Sequence, residues 1–207
     1  PTSGADMEPP TPETITGLVL AGGLGRRMGR IDKGLALLDG QPMAARVLER
    51  FRPQVGPLII NANQNLDDYA RFGLPVVCDR VEGFAGPLAG LEAGLAACTT
   101  PYLVSVPCDS PFLPPDLVIR LADTLTAARA SIAVARTGDQ LHPVFSLMRH
   151  DALPDLQAFL NAGGRRMERW LQRLRWVPCP FDDVPEAFTN INTPEELRAH
   201  EAGETPR

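Results

Sequence analysis

The feature that most limits the fold is an apolar run that empties into a loop of glycines and cations. Gly17-Leu18-Val19-Leu20 is followed by Ala21-Gly22-Gly23-Leu24-Gly25-Arg26-Arg27-Met28-Gly29-Arg30-Ile31-Asp32-Lys33. A short apolar run stopped by glycine reads as a buried strand. Glycines let the backbone turn tightly and approach a ligand without Cβ clashes. The exposed N–H groups of such a turn form a nest for an anion. Arg26, Arg27, Arg30 and Lys33, set against Asp32, add a dense local positive charge. Together these suit a polyphosphate. Two commoner phosphate loops fail on spacing. A dinucleotide fingerprint needs glycine three residues after Gly25, where Met28 stands. A Walker A loop needs Lys-Ser/Thr after its last glycine, but Arg30 follows Gly29 and Gly34 follows Lys33. A dehydrogenase reading falls with the first of these.

Downstream, strands alternate with helices. Gly34 to Leu38 is expected as a small strand closed by Asp39-Gly40. Met43, Val47, Leu48 and Phe51 share one helical face after Pro42. Leu58 to Asn61 and Val76 to Cys78 read as strands, the latter ending at Asp79, with a short helix from Leu66 to Phe72 between them. Gly83, Gly86, Pro87 and Gly90 lead into a helix through about Cys98. Tyr102 to Val106 is the most convincing central strand, with Cys108-Asp109 past its end. A helix opened by Pro114-Pro115 follows. Ser131 to Arg136 and Pro143 to Met148 read as paired strands. Asp151 to Leu160 and Arg165 to Leu174 read as helices separated by Gly163-Gly164. Arg175 to Val177 and Phe188 to Asn192 read as short strands. Thr193-Pro194-Glu195-Glu196 carries a capping box and a proline at the first helical position. This alternation predicts a three-layer α/β/α sandwich with a mostly parallel, Rossmann-like sheet. Ligands in such sheets bind beyond the carboxyl ends of the strands. That edge gathers the loop after Leu20, Asn61, Asp79 and Asp109.

The chain of 207 residues suits one domain. Residues 1–15 read as a disordered tail, 16–201 as a single domain and 202–207 as a frayed end. A net charge of −5 argues against a broad grip on nucleic acid. Cys78, Cys98, Cys108 and Cys179 lack C-x-x-C spacing, as expected of reduced thiols in a cytoplasmic protein. No apolar run reaches the roughly 18 residues of a membrane span, and residues near the start lack a signal-peptide pattern.

The stretch from Leu20 to Leu35, L-A-G-G-x-x-R-R-M-G-x-x-D-K-G-L, resembles the signature loop of the molybdenum cofactor guanylyltransferases, nucleotidyltransferases that activate small molecules with a nucleoside triphosphate. Cytidylyl-transferring relatives usually carry L-A-A-G, so Gly22 favours the guanylyl branch. Further matches are Asn61-Ala62-Asn63, Asp79, Gly86-Pro87-Leu88-Ala89-Gly90, Pro107-Cys108-Asp109-Ser110-Pro111-Phe112 and Asn190-Ile191-Asn192-Thr193-Pro194-Glu195-Glu196-Leu197. The resemblance spans about residues 16–200.

It implies transfer of GMP from GTP to the phosphate of molybdenum-bound molybdopterin, with pyrophosphate released. Leu20, Ala21, Gly22 and Gly23 are then expected to offer backbone groups to the nucleotide. Lys33 and Arg27 are expected to neutralise phosphate charge, and Asp109 to hold Mg²⁺, an ion that accepts one or two carboxylates plus phosphate oxygens and water. The resemblance assigns Asn61 and Asp79 to the base or ribose and includes Gly86 in the nucleotide site. His142, Arg165, Asn190 and Asn192 are candidates for the acceptor. Arg165 and Arg166 follow Gly163-Gly164 at an expected helix start, where cations oppose the dipole; that favours a functional reason for them. Trp170 and Trp176 read as packing residues. GTP and the molybdenum pterin are the expected partners, with apo-molybdoenzymes or chaperones beyond them, in a monomer or weak oligomer. A cytidylyltransferase is the competing enzyme. A non-catalytic nucleotide-binding module is the competing class, and intact Lys33 and Asp109 argue against it.

Overall fold

The computed structural model describes residues 8–21, 32–81, 86–191 and 196. Its centre is a seven-stranded sheet. In chain order its strands are β1 (Ile15–Leu20), β4 (Leu58–Asn61), β5 (Val76–Val77), β6 (Tyr102–Pro107), β7 (Ile132–Thr137), β8 (Gln140–Arg149) and β9 (Trp176–Pro180). Across the sheet they lie in the order β5-β4-β1-β6-β8-β7-β9. Strand β8 runs against both β6 and β7, and every other neighbouring pair is parallel. A separate small hairpin pairs β2 (Leu37–Leu38) with β3 (Gln41–Pro42).

The helices are α1 (Met43–Phe51), α2 (Leu66–Ala70), α3 (Pro87–Ala97), α4 (Leu117–Ala128), α5 (Leu153–Asn161) and α6 (Met167–Leu171). Strand side chains alternate between faces, so each parallel strand feeds two cores. Val19, Ile60, Val104 and Val106 pack with Val47 and Phe51 of α1 and Leu121 of α4. Leu18, Ile59, Leu103 and Val134 pack with Leu91 of α3, Leu156 of α5 and Trp170 of α6. The expected three layers are present.

Some boundaries differ. Strand β1 starts at Ile15, after a 3-10 turn at Pro12–Thr14. Residues 34–38 do not form one strand. Lys33–Leu35 is a 3-10 turn capped by Asp32, whose carboxylate accepts from the Gly34 N–H at 3.1 Å, and only Leu37–Leu38 is extended. Phe188 ends a 3-10 turn that begins at Pro185, and residues 189–191 join no sheet. Their backbone docks instead on the loop after β6, where the Ile191 N–H donates to the Asp109 carbonyl at 2.9 Å.

The helix expected from Arg165 begins at Met167. Residues 162–164 close α5: Gly163 has φ +85, its N–H donates to the Leu160 carbonyl, and the Gly164 N–H donates to the Phe159 carbonyl. This is a Schellman ending, which needs a residue in the left-handed region. The helix start expected at Thr193 lies outside the described residues.

Candidate active site

Parallel strands β4, β1 and β6 end side by side, and their last residues and following loops make one edge. Leu20 is in register with Asn61 on one side and Pro107 on the other. The ladder continues one step further: the Ala21 N–H donates to the Asn61 carbonyl at 2.8 Å, and the Cys108 N–H donates to the Leu20 carbonyl at 3.1 Å. The Ala21 N–H is therefore committed to the sheet. Gly22, Gly23 and Arg27 lie outside the described residues.

Lys33 and Asp109 meet at this edge. The ammonium donates to Asp109 Oδ2 at 3.0 Å, with the lysine side chain 25% and the aspartate side chain 11% exposed. An ion pair this sheltered interacts more strongly than one in open water. Beneath it Cys108 is buried, and burial, followed by the Asp109 charge, pushes its thiol well above its ordinary range. Cys108 is a packing thiol and not a nucleophile.

Sequence reasoning missed the part played by Asp32. Its carboxylate takes three bonds: from the Tyr69 hydroxyl at 2.5 Å, from Asn65 Nδ2 at 3.0 Å and from the Gly34 N–H. The loop that carries Lys33 is thus moored to α2. Burial raises the Tyr69 phenol, with Cys108 and Asp32 adding to the effect, so it stays a donor. The one signal available in sequence was an Asp two residues before a glycine at the start of a helical turn.

Asn61 is buried, and its amide donates to Asp79 Oδ1 at 2.9 Å and to the Val77 carbonyl at 3.2 Å. The Asp79 N–H donates to Asn63 Oδ1 at 2.8 Å. Asn61 therefore aims Asp79. Gly90 of α3 allows this: a Cβ there would fall 2.4 Å from Asn61 Oδ1 and 2.6 Å from a Leu20 methyl. Gly86 is the residue before α3, with φ +64.

The acceptor candidates divide. Asn190 sits against the Asp109 loop, accepting on Oδ1 from the Ser110 hydroxyl at 2.5 Å. Asn192 lies outside the described residues. His142 stands near the start of β8, opposite Ala135. Its Nε2 is 2.7 Å from the Thr137 hydroxyl, its ring stacks on Phe188 at 4.8 Å, and burial lowers its pKa.

Arg165 is elsewhere, on the face of α3. His150, just before α5, lies 3.1 Å from the carbonyl of Leu95 near the end of α3, while Gln157 Nε2 donates to Glu92 Oε1 at 2.8 Å. Helix α5 therefore runs against α3, and its end lies toward the α3 amino terminus and the carboxyl edge of the sheet. There Phe159, Gly163, Arg165, Arg166, Arg169 and Arg173 line an open cleft of about 370 Å³. The Arg165 guanidinium donates to the carbonyls of Leu160 and Gly164. It caps the end of α5, where a cation is favourable. The dipole argument for a functional Arg165 is corrected by that placement. Arg173 is bound to Asp155 at 2.8 and 3.1 Å. Arg166 and Arg169 are exposed and have no ion pair among the described residues.

Among the described residues no group of three or more His, Cys, Asp or Glu side chains is placed to hold a metal. Asp109 offers a single carboxylate with one oxygen on Lys33. That donor set fits Mg²⁺, which keeps waters and shares phosphate oxygens, and does not fit an all-protein cage. No helix among the described residues is long and apolar enough to cross a membrane.

Residues 17–177 match the family model for the MobA-like NTP transferase domain. The chain is 55% identical to the molybdenum cofactor guanylyltransferase of Cupriavidus pinatubonensis, over 92% of this chain and 98% of that relative. It is 54% identical to the enzyme of the same name from Cupriavidus taiwanensis, with the same coverage. A solved structure of molybdopterin-guanine dinucleotide biosynthesis protein A from Archaeoglobus fulgidus superposes with a TM-score of 0.77 at 26% identity, covering 90% of this chain and 97% of that one.

Proposed function

The chain belongs to the MobA-like NTP transferase family, and from that premise we propose that it is a molybdenum cofactor guanylyltransferase. It transfers GMP from GTP to the terminal phosphate of molybdenum-bound molybdopterin, in the cytoplasm. An acceptor phosphate oxygen forms the new bond to the α-phosphorus, and the bond from that phosphorus to the bridging oxygen breaks. Pyrophosphate leaves with the electron pair. The nucleophile is already ionised near neutral pH, so no general base is required. The barrier is repulsion between anions and charge on the leaving group, and such transfers are catalysed by positioning and electrostatics.

The observation that carries this reading is the sheltered Lys33–Asp109 pair at the carboxyl edge of parallel strands, in a chain whose relatives at over half identity bear this name. In it, Lys33 meets the phosphates as a point cation; the family loop implies the same role for Arg27 and a nucleotide-binding role for the backbone of Leu20 to Gly23. Asn61 and Gly86 shape that pocket, and Asp79 faces the base or ribose. Asp109 holds Mg²⁺, which supplies charge neutralisation for the phosphates. Asn190 and His142 serve the acceptor, a role the closing motif also implies for Asn192, while Arg166 and Arg169, which have no ion pair among the described residues, offer their guanidinium groups to its phosphate from the cleft beside Arg165.

Pyrophosphate release is the test, measured with the molybdenum-loaded pterin and GTP, ATP or CTP in turn, with Mg²⁺ or with excess chelator. Release with GTP and Mg²⁺ alone is expected. Preference for CTP rejects the guanylyl assignment, undiminished release in chelator rejects the metal, and nucleotide binding without release with any of the three makes the chain a binding module.

A further inference from the structure

Ser110 has no part in the chemistry above, yet it is fully buried at the site's edge. A buried hydroxyl is costly unless bonded. Ser110 donates to Asn190 Oδ1 at 2.5 Å, across eighty residues of sequence. Beside it the Ile191 N–H donates to the Asp109 carbonyl at 2.9 Å. The Ile191 side chain, fully buried, enters a small apolar cluster of Ala36, Leu38 and Met43, with Phe112 packed against it. Ala36 and Leu38 follow Lys33 closely, and Phe112 follows Asp109. One satellite core therefore ties together the segment carrying Lys33, the loop carrying Asp109 and the strand of chain carrying Asn190.

We infer that Ser110 is a positioning residue for the acceptor. By donating to Oδ1 it fixes which way the Asn190 amide faces and turns its NH₂ group away from the Ser110 side. The bond carries no charge and reaches neither Lys33 nor the strand-end groups at Leu20 and Asn61. Its loss therefore weakens the acceptor side alone. Asn190 and the metal-holding loop move as one body because Ile191 is plugged beneath them, so the acceptor phosphate is registered against the nucleotide by the fold itself. This rests on the guanylyltransferase reading.

The experiment is a double-mutant cycle on pyrophosphate release with Ser110→Ala, Asn190→Ala and the pair, titrating molybdenum-loaded molybdopterin and GTP separately. Ser110→Ala is expected to raise KM for the pterin about three- to tenfold, as loss of one hydrogen bond implies. KM for GTP should stay within about twofold on the same grounds. On the Asn190→Ala background the Ser110 change should add nothing further. Ser110→Thr keeps the hydroxyl and should restore most of the pterin KM, and melting curves identify any variant that has merely lost stability. An unchanged pterin KM in folded Ser110→Ala overturns the inference, as does an equal rise in both KM values or an undiminished effect on the Asn190→Ala background. If the unmodified protein releases no pyrophosphate from GTP, it is the guanylyltransferase reading that fails instead.

Discussion

The two ends of the carboxyl edge are built differently. On the β4-β1-β6 side the polar groups are bonded to each other across strands: Lys33 to Asp109, Asn61 to Asp79, and Asp32 to Tyr69, Asn65 and the backbone. On the β8-β7-β9 side the cations pair with carboxylates near the surface, Arg120 with Asp183 and Arg136 with Asp182, and in the cleft at the end of α5 they are held locally or exposed. Arg165 caps α5, Arg173 pairs with Asp155, and Arg166 and Arg169 are exposed. The first side is preorganised, which is what electrostatic stabilisation of a charged transition state requires. On the proposed reading the second meets the acceptor with groups that lose freedom on binding, and a fixed nucleotide side with an open acceptor side suits an enzyme that must place one triphosphate accurately and admit a bulky second substrate.

The largest effects should come from the fixed side. Lys33→Ala and Asp109→Ala are each expected to lower pyrophosphate release by about a hundredfold or more, while circular dichroism and melting show a folded protein. Near-normal turnover in either variant removes the preorganised pair from the mechanism. Gly90→Ala attacks the same side through packing. Alanine is the better helix former by about 1 kcal/mol. Its Cβ, however, would lie 2.4 Å from Asn61 Oδ1 and 2.6 Å from Leu20, a clash that overpacking data place at about 1–3 kcal/mol. The net expectation is a lower melting temperature and a raised KM for GTP with the pterin KM unchanged. A Gly90→Ala protein with wild-type GTP KM would mean that Asn61 does not aim Asp79 in the way the geometry suggests.

The open side should respond more weakly and with the opposite selectivity. Arg166→Ser with Arg169→Ser is expected to raise the pterin KM about tenfold, each exposed charge contributing on the order of 1 kcal/mol or less, with GTP KM and melting temperature little changed. Arg165→Met should instead lower the melting temperature, because it removes donors from the Leu160 and Gly164 carbonyls; the loss is about 1 kcal/mol. If Arg166 and Arg169 can be removed without cost to either substrate, the cleft is not the acceptor's.

The same contrast explains what was legible in the sequence. The fixed side is made of short motifs at strand ends. Mostly apolar runs mark β1 and β6, and the residues that follow them fall at the edge by topology alone. Partners distant in sequence were invisible: nothing around Asp32 points to Tyr69, and nothing around Ser110 points to Asn190. On the open side local pattern misled. Phe188-Thr189-Asn190-Ile191 alternates loosely enough to read as a strand, but the Thr189 N–H bonds within its own turn to Glu186 and the Ile191 N–H goes to the Asp109 carbonyl. Residues 165 and 166 read as a helix start because periodicity shows where apolar residues recur, not where Gly163 reverses the chain.

The smallest effect distinguishes the sides by pH. His142, a candidate for the acceptor, is partly buried, and burial holds its pKa below the ordinary value of 6.5. In the window between the lowered pKa and 6.5, the unfolded chain binds more protons than the folded one, so stability rises with pH there. The contribution of neutral His142 is fully present above about pH 6.5 and is lost as pH falls through that window. His142→Phe keeps an aromatic ring against Phe188 and Phe145 but removes the titration and the bond with Thr137. Its melting temperature should sit slightly below the parent's at neutral pH. On the acid side its decline should be shallower, so that the two curves converge as pH falls below 6.5. Parallel curves across that range would show that proton uptake at His142 is not linked to folding.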